Sequence, residues 1–246
     1  MFSAGALYGA WEVGVWKALR ERIPVEMVVG ASAGAWNAWA IAGGATPEDL
    51  AGEWLDPLTA HLLQPGLNAR SIIKPDALHA KARELFERYR PKMPFGLTVV
   101  EVPRMRACLF RGPEITWRHL AATASIPLGF PPVRIGERDY VDGGLLGALP
   151  LWAAEEMGAT RAIGINALIN PPFRILHSVI APLRPRQRLK AFLIEPSTPL
   201  GSLRDAVVWS PANIKEWIQQ GEDDGNRALD RLQCWVYGLP DPPNEG

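Results

Sequence analysis

The sequence predicts an α/β fold, a three-layer α/β/α arrangement around a mainly parallel central sheet. Three observations predict it. Short apolar runs of strand length alternate with helical patterns along the whole chain, which is the signature of helices covering both faces of a parallel sheet. The 246 residues, 48% apolar and 21% charged, suffice for a sizeable core and exclude a disordered chain. The pentapeptide Gly30-Ala31-Ser32-Ala33-Gly34 joins an apolar run to a helical one, as a strand–turn–helix unit requires.

The elements follow in order. Gly9 to Arg22 reads as a helix with Trp11, Val15, Ala18 and Leu19 on one face, and Pro24 stops it. Val25–Val29 is a short buried strand and Ala33–Gly43 a buried helix. Thr46 caps the next helix, with Pro47 in its first turn and Asp49 as acidic partner. Pro65 to Lys74 reads as a loop, and a helix runs from Asp76 to Tyr89. Leu97–Val102 alternates as a strand, with Ala107–Phe110 as its neighbour. A short helix spans Thr116–Ser125, and Phe130–Ile135 leads to a turn at Gly136–Asp139. Pro150–Gly158 is a helix and Arg161–Asn166 a buried strand. Pro171 to Arg188 is proline-rich and basic, Ala191–Pro196 is the last strand, and Pro211–Leu232 the final helix. No repeat or linker interrupts this order. The chain is therefore expected to form a single domain over residues 1–246, with 240–246 a polar tail.

Bulk properties narrow the function. With 26 basic and 26 acidic residues the formal charge is zero, which gives no reason to expect a nucleic-acid partner. The two cysteines, Cys108 and Cys234, form neither a disulfide framework nor a metal-binding spacing and suit a cytoplasmic setting. No run reaches the ~18–20 apolar residues of a transmembrane segment, and the first residues lack the basic start of a signal peptide.

The chemistry is concentrated in three places. In G-x-S-x-G a serine sits on a turn so tight that only small neighbours fit, and Gly30 and Gly34 supply that room. The turn aims the Ser32 hydroxyl at the positive end of the following helix. A serine nucleophile needs a base, yet none of His61, His79, His119 and His177 lies in a motif-like setting, so a Ser-His-Asp triad is poorly supported. Asp142 is better placed. It ends a short strand in Tyr140-Val141-Asp142-Gly143-Gly144, and the two glycines let the backbone approach another loop. Taken alone, Asp-Gly is also an ordinary turn dipeptide. The small-residue loop Ser3 to Gly9 runs into a helix start and could converge its amides on one point, as a plain helix-start loop also would.

Together, in this order, the three pieces resemble the patatin-like phospholipases, lipid acyl hydrolases with a Ser–Asp dyad. The resemblance extends to Gly14-Val15-Trp16-Lys17-Ala18-Leu19, to Ala122–Val133 with its Ile126-Pro127 and Phe130-Pro131-Pro132-Val133, and to Leu149-Pro150 and Ala153-Ala154 after Asp142-Gly143-Gly144. It covers roughly residues 2 to 166, with the strand and helix over 191–232 completing the unit. It implies a patatin-like fold, Ser32 as nucleophile and Asp142 as base. It also implies an oxyanion hole from the backbone amides of Gly5, Ala6 and Ala33, with Gly9 closing that loop. The implied activity is hydrolysis of lipid or other acyl esters through an acyl-enzyme, with no cofactor and no metal. Acyl transfer from the same intermediate and a catalytically weakened binding protein on the same fold are the alternatives.

The sequence departs from the family pattern at three points. The oxyanion loop, G-G-G-x-R-G in the family, reads Ala4-Gly5-Ala6-Leu7-Tyr8-Gly9, so that Ala6 is strained if the loop needs a positive φ there. Only Met1 and Phe2 stand where the family has a full strand, so a central strand looks cut short. Ala148 replaces an asparagine after the D-G-G. Trp11, Trp16, Trp36 and Trp39 either fill the core or shape an apolar acyl groove. The apolar segment Arg174–Arg184 with basic ends reads as a covered loop, a lid or a transient membrane-surface contact.

Overall fold

The structure is a computed structural model describing residues 1–62, 65–68, 71–73, 75–169 and 188–240; of 61, 65–68 and 71–73 it describes the backbone alone. The elements are α1 (Gly9–Leu19), β1 (Val28–Ala31), α2 (Ala33–Ala42), α3 (Pro47–Leu55), β2 (Pro65–Asn68), β3 (Ser71–Ile73), α4 (Pro75–Arg88), β4 (Phe95–Val102), β5 (Arg106–Arg111), α5 (Trp117–Thr123), β6 (Val133–Ile135), β7 (Arg138–Asp142), α6 (Leu151–Glu156), β8 (Arg161–Ile165), β9 (Lys190–Ile194) and α7 (Pro211–Tyr237).

The α/β class and the layering stand, and the sheet divides into two wings. In one wing β8 and β9 run parallel, and β1 runs parallel to β4. In the other, β5, β7 and β6 are antiparallel neighbours of β4 or of one another. The segment that the sequence left short for a strand, Met1 to Ser3, closes the parallel wing. Phe2 bridges in parallel to both Gly30 and Ile165. Its amide donates to the Val29 carbonyl at 2.9 Å, and the Ile165 amide donates to the Met1 carbonyl at 2.9 Å. Three residues thus satisfy the backbone on both sides, and the core is not opened there.

Within the stretch Pro65 to Lys74, read as a loop, Pro65–Asn68 and Ser71–Ile73 form the antiparallel pair β2–β3 with an irregular register. A Pro-Gly opening and the lack of alternation hide such short strands in sequence. Segment 174–184 lies outside the described residues.

The helix α2 is buried at every position, as its apolar composition all round requires. On one side α1 packs against α7 at close range. A Cβ on Gly14 would come within 1.9 Å of the Ile218 carbonyl, and one on Gly221 within 2.0 Å of the Trp11 carbonyl. Trp11 is fully buried there and donates to Asp224 at 2.8 Å. The opening of α3 shows a capping box between Thr46 and Asp49 with Pro47 in the first turn. Among the described residues no helix is long and apolar enough to cross a membrane.

Candidate active site

The strand register brings Ser32 and Asp142 together. Along one edge of β4, β1 pairs with Phe95–Thr98 and ends with Ala31 opposite Thr98. On the same edge β7 runs the other way and ends with Asp142 opposite Val99. The C-terminal ends of the two strands therefore meet head to head at adjacent positions of β4. The residue leaving β1 and the residue ending β7 are neighbours although 110 positions separate them.

At that junction the Ser32 hydroxyl donates to Asp142 Oδ2 at 2.6 Å. The second carboxylate oxygen accepts from the Gly144 amide at 2.7 Å, and the Asp142 amide donates to the Ser125 carbonyl at 3.0 Å. Both side chains are buried. Burial pushes the Asp142 carboxyl from its ordinary 3.8 up to about 7, against the pull of the two hydrogen bonds it accepts. Among the described residues no cation offsets that burial, so its basicity is that of a group titrating near neutrality.

The turn itself is tight and strained. Ser32 has φ 54° and ψ −131°, a region that L-residues rarely occupy. A Cβ on Gly30 would lie 2.5 Å from the Gly34 carbonyl oxygen, and one on Gly34 would lie 2.3 Å from that of Ser3. Gly34 is thus small because the Met1–Ser3 segment runs against it. A Cβ on Gly143 would strike the Thr98 carbonyl at 2.1 Å, and one on Gly144 would meet Ala4 Cβ at 2.3 Å.

The loop before α1 faces the same point. Ala6 and Ala33 line a cavity together with Ser32. Ala33 is the first residue of α2, so its N–H has no partner within the helix. Ala6 has φ 48°, the strained value that an alanine in this loop was expected to suffer if the loop needed it. The loop is fastened from several sides. Leu7 N–H donates to the Ala206 carbonyl at 3.0 Å, and the buried Tyr8 hydroxyl donates to the Ser202 carbonyl at 2.6 Å. Tyr8, where the family pattern has arginine, packs edge-on against Trp217 at 5.0 Å and serves as a strut. Where asparagine was expected, Ala148 accepts the Ala4 amide on its carbonyl at 2.8 Å. Gly9 sits with Ala33 and Trp54 so close that a Cβ would reach 2.7 Å from the Trp54 ring.

Beneath the loop lies a polar cluster that the sequence alone did not single out. Glu12, fully buried, accepts from the Ser3 amide at 2.7 Å, the Ser3 hydroxyl at 3.0 Å and Asn37 Nδ2 at 3.1 Å. Asn37 also donates to the Gly9 carbonyl and accepts from Trp54 Nε1. Burial pushes Glu12 up to about 8, although its three donors pull the other way. The available signal was a lone carboxylate on α1, whose only other charge is Lys17 in the last turn, and a lone amide on the otherwise apolar α2.

The cavity beside Ser32 encloses about 730 Å³, counting its open mouth, and its walls include Trp36, Leu50, Leu78, Leu85, Ile126 and Phe130. Trp36 and Trp54 line it, whereas Trp11 and Trp39 fill the core. Among the lining residues Lys81 pairs with Glu53. Neither described histidine ring contacts Ser32. His119 Nδ1 accepts from the Thr116 amide at 3.0 Å, and His79 stands edge-on to Trp117. His61 and His177 have no described side chain. Among the described residues no three His, Cys, Asp or Glu side chains gather as a metal-binding group.

Comparison with known proteins gives the family and the fold. The sequence model of the family described as patatin-like phospholipase matches residues 1–155, well over half of the chain. The chain belongs to the patatin-like phospholipase family. Members of this family are generally lipid acyl hydrolases. The fold of this patatin-like protein is similar to the crystal structure of VipD from Legionella pneumophila, with a TM-score of 0.52 and 13% sequence identity. That alignment covers 93% of this chain and 66% of VipD, so the chain spans just under two thirds of that protein's length. No curated protein matches the sequence.

Proposed function

We propose that this patatin-like protein is a serine acyl-ester hydrolase acting on lipids, of phospholipase A, lysophospholipase or carboxylesterase type, working through a Ser32–Asp142 dyad. The observation that carries the proposal is the 2.6 Å hydrogen bond from the Ser32 hydroxyl, at the wall of an apolar cavity, to the buried Asp142 carboxyl. The cavity suits an acyl chain, and Leu128, 87% exposed between the wall residues Ile126 and Phe130, gives the surface beside it an apolar character.

The steps follow from the geometry. Asp142 takes the Ser32 proton as Ser32 Oγ attacks the ester carbonyl carbon. The tetrahedral oxyanion is held by amide N–H groups of Gly5, Ala6 and Ala33, helped by the N-terminus of α2. Collapse expels the alcohol, which takes the proton from Asp142 and leaves Ser32 acylated. A water then gives its proton to Asp142 and attacks the acyl carbon. The fatty acid departs and Ser32 regains its proton.

The test is direct. Ser32→Ala is expected to lower hydrolysis of a medium-chain p-nitrophenyl ester by at least ~10³-fold, and a fluorophosphonate probe is expected to label Ser32 and no other residue. Retained hydrolysis in Ser32→Ala, or labelling elsewhere, removes Ser32 as nucleophile.

A further inference from the structure

The head-to-head meeting of β1 and β7 leaves a break in the hydrogen-bond ladder along β4. Ser32 has left β1, so its N–H no longer reaches a strand partner. The Thr98 carbonyl sits at the seam between the last pair of β1 and the last pair of β7. One donor and one acceptor are thereby stranded in a fully buried place, where each needs a partner. A single side chain serves both. The Ser32 N–H donates to Thr123 Oγ1 at 2.9 Å, and Thr123 Oγ1 donates to the Thr98 carbonyl at 2.7 Å. Thr123 is fully buried at the C-terminal end of α5. Two residues later the same segment accepts the Asp142 amide on the Ser125 carbonyl at 3.0 Å.

We infer that Thr123 is a positioning residue, whose hydroxyl closes the seam between β1 and β7 and holds Ser32 in the strained backbone from which its Oγ reaches Asp142. The chemistry of the side chain is specific. A hydroxyl of this size can accept one hydrogen bond and donate another from the same atom, which a thiol does only weakly and a methyl not at all. Valine has the same shape and can do neither, and would leave the Ser32 N–H and the Thr98 carbonyl buried without partners. The backbone at Ser32, with φ 54°, persists only while its surroundings over-determine it. Without the bridge the serine is free to relax, and the distance between Oγ and Asp142 is the first thing to change. Substrate binding in the apolar cavity does not involve this bridge, so the loss falls on kcat and not on KM.

This inference rests on Ser32 being the nucleophile, and the experiment separates the two. The full chain and its Thr123→Val and Thr123→Ser variants are compared by the rate of fluorophosphonate labelling at Ser32, located by mass spectrometry. The kcat and KM on a p-nitrophenyl ester are measured alongside, below the melting range of every variant. Thr123→Val is expected to slow both labelling and kcat by about 10- to 100-fold with KM little changed, and Thr123→Ser to restore most of the loss. If Thr123→Val does not fold, Thr123→Cys takes its place, since a thiol fills the site but bonds weakly. Equal rates in the hydroxyl-lacking variant and the unchanged protein overturn the inference, as do equally slow rates in Thr123→Ser. Absence of labelling at Ser32 in the unchanged protein overturns the nucleophile assignment, and this inference with it.

Discussion

The Gly30–Gly34 turn and the loop before α1 both hold a non-glycine residue at positive φ, Ser32 at 54° and Ala6 at 48°. They differ in why. At Ser32 the strain is inseparable from the proposed chemistry, because glycine there would remove the hydroxyl that donates to Asp142. The surroundings are built to hold it: glycines two residues away on each side, the Thr123 bridge behind, and the Asp142 carboxylate in front. At Ala6 the proposed mechanism uses only the backbone N–H, and glycine would offer the same N–H without the steric cost. The loop is held from outside instead, by Tyr8 on Ser202, Leu7 on Ala206 and the Glu12 cluster beneath Ser3. Strain that carries a side chain's function is braced locally, and strain that does not is tolerated by distant struts.

The largest expected effect breaks the braced side of this comparison. Asp142→Asn removes the proposed base while keeping the shape, and is expected to cut kcat by about 10²- to 10⁴-fold. In the unchanged protein kcat/KM is expected to rise with pH along a limb centred near 7, because Asp142 must be ionised to accept the serine proton and burial lifts it to about 7. A rising limb centred near the ordinary carboxylate value would contradict that. The same substitution acts on stability in the opposite sense. Asp142 loses its proton above about 3.8 in the unfolded chain and above about 7 in the folded one. Folding therefore takes up a proton between these values, and stability falls as pH rises through that window, then levels off. Asp142→Asn carries no such penalty and is expected to be more stable than the unchanged protein by about 1–3 kcal/mol at pH 8, measured by urea unfolding. A variant both less active and less stable would show that the carboxylate braces the fold.

The next effect tests the struts. Glu12 follows the same rule over a higher window, since burial lifts it from 4.5 to about 8. Its contribution is greatest below 4.5 and is lost as pH rises towards 8. Glu12→Gln is uncharged at every pH. It is expected to be within about 1 kcal/mol of the unchanged protein at pH 5 and to lose less melting temperature between pH 5 and 9. A variant with the unchanged protein's full pH slope would mean that Glu12 does not titrate on folding.

The contrast between the two regions also explains how much could be read from the sequence. The turn was legible because its residue types and spacing form a short contiguous signature: Gly30 is small for a reason four residues away, whereas Gly34, Gly143 and Gly144 are small because distant segments press on them, and only the pattern shows in sequence. The α/β class was legible for the same reason, from runs such as Val28–Val29 and the helix after Ser32. What joins these pieces is a matter of register. That β1 and β7 end at adjacent positions of β4, or that one threonine closes the seam, depends on pairings between residues far apart in sequence. The antiparallel wing and the role of Met1–Ser3 as a minimal strand were hidden likewise, since pairing partners leave no mark on a three-residue segment. Tyr8 read as a lost arginine, and only its contacts with Ser202 and Trp217 give it a role.

The smallest effect sharpens the comparison from the tolerant side. If the strain at Ala6 has no function of its own, removing it should help. Ala6→Gly relieves about 1–2 kcal/mol of left-handed strain but frees the unfolded chain at a cost of about 0.4–1 kcal/mol. The net expectation is a gain of about 0.5–1 kcal/mol in the urea unfolding free energy. Fluorophosphonate labelling then tells whether the alanine also served to stiffen the loop. Faster labelling would mean that strain alone separated this loop from a glycine-rich one. Slower labelling, with the same gain in stability, would mean that the rigidity of Ala6 aims its amide, and the two strained residues would then be alike after all.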